Sequence, residues 1–225
     1  LWALAASASA AEPSAEALRP RLYPGEEERR AVEELLGAAR WAGGGPLVAL
    51  APGSVWATKR WPFYAELAAA LAAEARLVVT GGPGDRELAA AIVAAAPAGR
   101  ALDAAGRLSL LASAALIGRC ALVVTNDSSP LHLASAMGVP TLAIFGPTVP
   151  AFGFGPLAPG SATAGVEDLP CRPCHPHGPP ACPLGHWRCM REQAPAAIAA
   201  RARAMLRSAA PGALPILAPD THPAG

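Results

Sequence analysis

The sequence predicts an α/β fold: a Rossmann-like parallel sheet with helices on both faces. Two observations lead to this fold class. Between residues 25 and 145, short apolar runs alternate with longer stretches of helical periodicity, and glycine or proline bounds the runs. The runs also lack the apolar–polar alternation of half-exposed strands, which indicates strands buried on both faces. Such alternation of strands and helices is typical of parallel sheets with right-handed crossovers.

This pattern predicts five strands and six helices. The strands are Leu47–Ala51, Leu77–Thr80, Arg100–Asp103, Ala121–Thr125 and Thr141–Phe145, of which the third has the weakest signal. The helices are Gly25–Ala39, Pro62–Ala75, Asp85–Ala96, Leu108–Gly118, Ser129–Gly138 and Pro195–Leu206. We expect residues 1–17 to end a further helix, residues 14–24 to be a connector, and the proline-rich tail at 208–225 to be disordered.

Composition excludes several classes of protein. The 225 residues are 52% hydrophobic and 16% charged, with a formal net charge of +1. These values disfavour a disordered chain and a basic nucleic-acid-binding protein. No run of about 18 strongly apolar residues is present to span a bilayer, so we expect a soluble protein. Because the chain begins with Leu1 and not Met, we expect it to be a fragment.

The clearest chemical signals lie in loops that follow predicted strands, where ligands bind in open parallel sheets. The first such loop contains Lys59, the one lysine in a chain whose other cations are arginine. A compact ammonium is not interchangeable with a guanidinium in a tight site, which indicates a specific role. Gly53, Ser54 and Thr58 would suit phosphate oxygens beside it. The alternative is that Gly53 only turns the chain and Lys59 is a solvated cation of an exposed loop.

The second loop is rich in glycine. Gly81 and Gly82 would let a ligand approach the backbone closely, while Asp85 or Glu87 would accept hydrogen bonds from ribose hydroxyls. The alternative is a plain turn in which Asp85 caps the next helix.

The third loop places Asp127 directly before a helix whose first turn offers Ser128 and Ser129, an arrangement that suits an anion. A carboxylate repels a diphosphate, so we expect Asp127 to face sugar hydroxyls, with His132 nearby. In the fourth loop, the Thr148 hydroxyl is expected to face the same crevice. The alternative is that Asp127 or Ser128 is a helix cap and that His132 is a packed histidine.

Cysteines form a second candidate site. Cys120 lies in a predicted buried region, whereas Cys171, Cys174, Cys182 and Cys189 fall within nineteen residues. Their number fits a zinc site, but the second pair lacks the usual C-x2-C spacing. A metal site, disulfides formed in an oxidising compartment, and reduced thiols all remain open.

Taken in order, these motifs resemble those of glycosyltransferase family 9, the ADP-heptose:lipopolysaccharide heptosyltransferases. The matching stretches are Ala51–Ser54 with Thr58–Pro62, Thr80–Gly82, Thr125–Ala134 and Phe145–Thr148. The cysteine segment looks most like the heptosyltransferase II branch. The resemblance covers about residues 21–198, and the ordered set of motifs is far more specific than any one of them.

The resemblance implies a GT-B enzyme, of which this chain is the C-terminal, donor-binding half. Residues 25–207 would be the donor domain with a Cys/Pro-rich segment at 168–191, and residues 1–24 the end of an N-terminal acceptor domain plus a linker. The implied reaction moves a heptose from ADP-heptose to the lipopolysaccharide inner core with inversion. The fragment alone would bind donor and transfer little.

The resemblance also implies roles for individual residues and requires no cofactor. Lys59 would stabilise the departing diphosphate and Asp127 would orient the sugar as the two catalytic residues. The implied donor-binding residues are Gly53, Ser54, Thr58, Gly81, Gly82, Asp85, Glu87, Leu108, Ser128, Ser129, His132 and Thr148. Asp127 is followed by Ser-Ser-Pro where family members often have a small residue and glycine, which leaves the sugar specificity open.

A cytoplasmic location follows from the resemblance, with peripheral contact at the inner membrane at most. One rival interpretation is a non-catalytic nucleotide- or zinc-binding module, in which the cysteine segment does the binding. A nicotinamide-dependent dehydrogenase is disfavoured because no predicted strand leads into G-x-G-x-x-G.

Overall fold

The computed structural model describes residues 14–208, which contain a six-stranded sheet with every pairing parallel. The strands are β1 (Leu47–Ala51), β2 (Arg76–Val79), β3 (Ala101–Asp103), β4 (Leu122–Asn126), β5 (Thr141–Ile144) and β6 (Ala162–Ala164). Their order across the sheet is β3-β2-β1-β4-β5-β6. This is the strand order of a doubly wound Rossmann fold, with its switch point between β1 and β4. The predicted fold class is confirmed.

Helices connect the strands. They are α1 (Ala15–Leu18), α2 (Glu26–Gly37), α3 (Tyr64–Leu71), α4 (Arg86–Ala95), α5 (Leu110–Gly118), α6 (Ser129–Met137), α7 (Arg188–Arg191) and α8 (Pro195–Ser208). Short 3-10 turns lie at Ala57–Lys59, Pro83–Asp85 and Pro150–Phe152. Capping explains where α2 and α5 begin. The Glu28 carboxylate accepts from the Gly25 N–H at 2.8 Å, and the Ser109 hydroxyl accepts from the Ala112 N–H at 3.1 Å.

Two hydrophobic cores cover the two faces of the sheet. Val48 and Leu50 of β1 point to one face, where they pack with residues of α3, α4 and α8. Ala49 points to the other face, which α2 and α5 cover. Successive side chains of a strand alternate between faces, and both faces here are buried. This is why the strands are continuous apolar runs in the sequence.

The structure differs from the sequence prediction mainly in the segment after β5. There β6 was not predicted, because its three residues are only partly buried at the sheet edge and carry no apolar pattern. The short helix α7 was also not predicted. Elsewhere, α3 is shorter than predicted because it begins at Tyr64 and not Pro62 and ends at Leu71 and not Ala75.

The expectations for residues 1–13 and 209–225 lie outside the described residues, so the disordered tail and most of the first helix stay predictions, as do the domain boundaries. Between residues 14 and 208, no helix has both the length and the apolar character needed to cross a membrane.

Candidate functional site

A cavity of about 630 Å³ opens at the carboxyl ends of β1, β2 and β4, beside the switch point of the sheet. Cavities of this size commonly hold small-molecule ligands, and this position is where doubly wound folds bind them. Its lining comes from the loops after three strands, the first turn of α6 and one side of α5. The lining residues are Gly53, Ser54, Val55, Trp56, Lys59, Thr80, Gly81, Gly82, Pro83, Asp85, Leu108, Leu110, Ser113, Ile117, Asp127, Ser128, Ser129, Pro130 and Leu133.

Lys59 and Asp127 form a buried ion pair in the cavity wall. The Nζ atom of Lys59 lies 2.6 Å from Oδ2 of Asp127, and the two side chains are only 11% and 5% exposed. The pair forms because β1 and β4 are adjacent parallel strands whose ends meet at one edge of the sheet. The alternative expectation of a solvated Lys59 in an exposed loop is wrong. The pair places a fixed cation and a fixed carboxylate side by side at the ligand cavity.

Asn126 holds the Lys59 loop against the end of β4. Its Oδ1 accepts hydrogen bonds from the Trp61 N–H at 3.1 Å and from the Tyr64 hydroxyl at 3.3 Å. Its Nδ2 donates to the Pro52 carbonyl at 2.7 Å. The buried amide therefore ties both ends of the loop at 52–61 to β4. Lys59 is carried on a loop that is fixed at its entry and at its exit.

Asp85 joins the loops after β1 and β2. Its Oδ2 accepts from the Gly82 N–H at 2.8 Å, back across the 3-10 turn Pro83–Asp85. Asp85 stands at the N-cap position of α4, but its side chain makes no capping hydrogen bond to that helix, so the expected side-chain cap is wrong. A Cβ atom at Gly53 would lie 2.5 Å from Asp85 Oδ2, and one at Gly81 would lie 2.7 Å from it. A side chain at either position would displace the Asp85 carboxylate, which lies directly against the backbone. Asp85 remains at the cavity wall, where it can also accept from a ligand hydroxyl.

The first turn of α6 contributes Ser128, Ser129 and Pro130 to the cavity. Ser128 is the N-cap residue, yet its hydroxyl does not cap the helix; Oγ lies 3.5 Å from the Thr125 hydroxyl. Ser128 and Ser129 thus stand at a helix start, which carries a positive partial charge. Together with Lys59, this end of the cavity suits a phosphate group.

The end of the cavity at α5 is mostly apolar. Leu108, Leu110 and Ile117 line it together with Ser113. Leu110 is 70% exposed despite its size, so a ligand that covered it would remove apolar surface from water. This end suits a flat, weakly polar group such as a nucleobase.

Four of the predicted donor-binding residues do not line the cavity. Thr148 is buried and its hydroxyl donates to Asp127 Oδ2 at 2.6 Å, so it contacts the ion pair and does not face the crevice. Thr58 is also buried, and its hydroxyl donates to the Pro179 carbonyl. Glu87 is exposed on α4, and His132 projects from α6 toward Phe154, whose ring centroid lies 6.3 Å away. The hydroxyls of Thr148 and Thr58 therefore make hydrogen bonds within the protein, to the ion pair and to the Pro179 carbonyl respectively.

The charges of the ion pair affect the pKa of His132. Partial burial lowers the pKa of its imidazole, the Asp127 carboxylate opposes that shift, and the Lys59 ammonium adds to it. A neutral His132 beside the ion pair follows at neutral pH.

The sequence model of glycosyltransferase family 9 (heptosyltransferase) matches residues 5–182, which is most of the chain. The chain belongs to glycosyltransferase family 9. It is 37% identical over 114 residues to lipopolysaccharide heptosyltransferase 2 of Salmonella typhimurium, a match that covers 48% of this chain and 33% of the relative. It is 34% identical over 135 residues to lipopolysaccharide heptosyltransferase 1 of Pseudomonas aeruginosa, covering 58% and 37%.

A solved structure extends the similarity to the fold of this family 9 chain. The E. coli ADP-heptose lipopolysaccharide heptosyltransferase II superposes with a TM-score of 0.67 at 26% identity, covering 84% of this chain and 54% of that one. The chain spans about a third of the length of the curated relatives that it matches. The predicted family is confirmed.

The four clustered cysteines of this family 9 chain line a small cavity of about 30 Å³ together with His186. Cys171 Sγ lies 3.7 Å from His186 Nε2. In residues 14–208, however, no group of three or more His, Cys, Asp or Glu side chains is arranged to hold a metal ion. Of the alternatives left open by the sequence, a zinc site is therefore without support. The cysteines of the described chain are free thiols, Cys120 among them.

Residues that sequence reasoning missed are mostly those that hold the site together. Asn126 lies within the motif Thr125–Ala134, but the sequence pattern assigns it no role of its own. Arg172 was not singled out, yet its guanidinium donates to the carbonyls of Gly146, Val166 and Thr148 at 2.7, 2.7 and 3.2 Å. Nothing in the sequence near Arg172 signals these contacts, because they depend on how the segment after β6 returns to the sheet.

Proposed function

We propose that this chain is the donor-binding part of a heptosyltransferase that moves a heptose from ADP-heptose to the lipopolysaccharide inner core with inversion. The observation that carries the proposal is the buried Lys59–Asp127 pair in the wall of the switch-point cavity. Family membership supports the reaction class, and the names of the relatives support the donor and the acceptor.

The cavity offers a complementary surface for each part of an ADP-sugar. We assign the diphosphate to Lys59 and to the start of α6 at Ser128 and Ser129. The adenine would lie against Leu108 and Leu110 at the apolar end. The ribose would then lie near Gly81, Gly82 and Asp85, where the Asp85 carboxylate can accept from a hydroxyl.

The chemistry follows from where charge develops. When the bond between the sugar and the diphosphate breaks, negative charge grows on the leaving diphosphate, and a fixed cation stabilises that charge more than it stabilises the ground state. Lys59 supplies this cation. Asp127, held in place by Lys59 and Thr148, would orient the sugar through its hydroxyls. The proposed transfer requires no cofactor.

We assign acceptor binding and the base that deprotonates the attacking hydroxyl to sequence outside this chain. The support is that the chain covers only about a third of its curated relatives. The lipid-linked acceptor would bring the enzyme to the cytoplasmic face of the inner membrane by peripheral contact.

Calorimetry with ADP and ADP-heptose tests the proposal directly. We expect both to bind, and we expect Lys59→Ala to weaken ADP binding ~10- to 100-fold, the range for a hydrogen bond to a charged group. Lys59→Arg should recover only part of the affinity, because a planar guanidinium does not fit the ammonium position. Arg107→Ala is the control, since this exposed cation beside Leu108 does not line the cavity.

Two results would overturn the proposal. One is that NAD binds while ADP does not. The other is that Lys59→Ala and Arg107→Ala leave ADP affinity equally unchanged in a folded protein.

A further inference from the structure

The Cys/Pro-rich segment at 168–191 packs directly on the Lys59 side chain. A Cβ atom at Gly178 would lie 3.0 Å from Cε, 3.2 Å from Cγ and 3.5 Å from Cδ of Lys59. The lysine stem therefore runs along the bare backbone of Gly178. Gly178 also has φ +87°, a conformation that side-chain-bearing residues rarely adopt.

A hydrogen bond joins the residues next to Lys59 and Gly178. The Thr58 hydroxyl donates to the carbonyl of Pro179, so residues 58–59 and 178–179 meet along both the side chain and the backbone. This contact helps to bury Thr58 and Lys59, whereas the flanking residues Ala57 and Arg60 are exposed.

The Cys/Pro-rich segment is also hydrogen-bonded to the loop after β5, which carries Thr148, the second residue that contacts Asp127 Oδ2. Arg172 donates to the carbonyls of Gly146 and Thr148, and the Cys174 N–H donates to the carbonyl of Pro147 at 3.0 Å. The loop that carries Thr148 and the turn that carries Lys59 are thus held by one segment. Both groups that contact Asp127 Oδ2 depend on it.

We infer that Gly178 is a positioning residue: its missing side chain lets residues 178–179 fix the Lys59 stem so that the ammonium stays on Asp127 at the cavity. The inference rests on the proposed function for its effect on ADP binding. Its geometric part, the fixing of Lys59, can be measured without ADP.

The test uses the fact that Lys59 is the one lysine of the 225-residue chain. Protein labelled with ¹³C-lysine gives a single set of lysine signals in an NMR spectrum. With the stem fixed, the two hydrogens on Cε of Lys59 should have separate chemical shifts. In Gly178→Ala the added methyl pushes the stem away, and the two shifts should merge as the side chain becomes mobile on the nanosecond scale.

Two glycines provide matched controls. Gly185 has φ +70° in the same segment and Gly153 has φ +90°, and a Cβ atom at either would meet no atom within 4 Å. Gly185→Ala and Gly153→Ala carry the same backbone strain without touching Lys59. Both should keep the wild-type lysine signals.

ADP affinity gives the second readout. Gly178→Ala should weaken ADP binding by about tenfold, as expected for a small misplacement of a binding group. In a Lys59→Ala background the same change should have no further effect, which a general loss of structure would not reproduce.

Each outcome bears on one proposal or the other. If Gly178→Ala keeps separate Cε shifts, the positioning role is wrong whatever ADP does. If the shifts merge while neither wild type nor variant binds ADP, the proposed function fails and the positioning role stands. Should Gly178→Ala not fold, Thr58→Val removes the hydrogen bond to Pro179 and is expected to merge the same shifts; unchanged shifts there overturn the inference.

Discussion

The backbone N–H of Trp61 donates to the side-chain carbonyl of Asn126, 65 residues further along the chain, at 3.1 Å. Through this bond and the bond to Pro52, the last residue of β4 fixes the loop that carries Lys59. The cavity is thus shaped by a buried amide that contacts no part of it.

Asn126→Leu should lower the free energy of unfolding by about 2–4 kcal/mol, because it leaves the Trp61 N–H and the Pro52 carbonyl without their partner. ADP binding should weaken as well. Tyr64→Phe is the control: it removes only the longest of the three bonds and should cost about 1 kcal/mol. Urea unfolding measures both. A cost for Asn126→Leu no larger than that for Tyr64→Phe would contradict this role.

The Lys59–Asp127 pair should show strong coupling. Lys59→Met or Asp127→Asn alone should destabilise the protein by about 3 kcal/mol, because each leaves one buried group without its charged partner. The double variant should be more stable than the sum of the two losses predicts, and its ADP binding should remain weakened.

An exposed ion pair provides the comparison for the Lys59 and Asp127 variants. Arg119 and Glu33 are 51% and 60% exposed, and Glu33→Gln should change stability by less than about 0.5 kcal/mol. Strictly additive losses for Lys59→Met and Asp127→Asn would show that the two side chains do not act as a pair.

His132 should titrate below its ordinary pKa, because partial burial and Lys59 lower the pKa more than Asp127 raises it. At pH values between the lowered pKa of the folded state and the ordinary pKa of about 6.5, the unfolded chain binds more protons than the folded chain. The contribution of His132 to stability is therefore complete when the pH is above the ordinary pKa, and it is lost as the pH falls through the range between the two pKa values. NMR titration checks the pKa, and His132→Asn should flatten this part of the stability profile.

Charge variants test the same environment in opposite directions. Lys59→Met should raise the pKa of His132, and Asp127→Asn should lower it further. Shifts of the same sign in both variants would show that His132 does not respond to the ion pair.

Cys182 should be the most reactive of the five thiols. Burial raises its pKa, but the backbone N–H groups of residues 184–187 lower it by more, so the thiolate forms readily. Burial and the neighbouring cysteines raise the pKa of Cys189 to about 11, and burial raises that of Cys120 to about 12. At pH 8, iodoacetamide should modify Cys182 first, as followed by peptide mass spectrometry.

Unfolded protein is the control for this experiment, since all five thiols should then react at similar rates. Equal rates for Cys182 and Cys189 in the folded protein would contradict the assignment. Thiols that become reactive only after a chelator is added would instead support the zinc site that the described residues do not show.

The parts of the fold that follow from local sequence were predictable. β1 was predicted to the residue because its apolar run lies between Pro46 and Pro52, which bound a strand clearly. β6 was not, because Ala162–Ala164 is a short edge strand that depends on its pairing with β5 and not on its own composition.

The site was predictable as a place but not as a set of contacts. Strand ends in a parallel sheet meet at one edge, which brought Lys59 and Asp127 together in the prediction. Their direct pairing was not predicted, and neither was the contact of Thr148 with Asp127 instead of the crevice. Such contacts depend on the direction of each side chain, and the partner of Thr58 lies 121 residues away.

The strand order also determines when this site can first exist during synthesis. β1 is central and pairs with β2, its next strand along the chain, and with β4, which starts at Leu122. A nascent chain that ends before β4 can build one half of the cavity, with its glycine loops, but it lacks Asp127 and the start of α6. Closing the β1–β4 pairing brings together positions more than 70 residues apart, such as Val48 and Leu122, which makes this a late and slow step in folding. A ligand of this cavity therefore cannot assist the early folding of the chain, and it can stabilise the chain only once both halves have met.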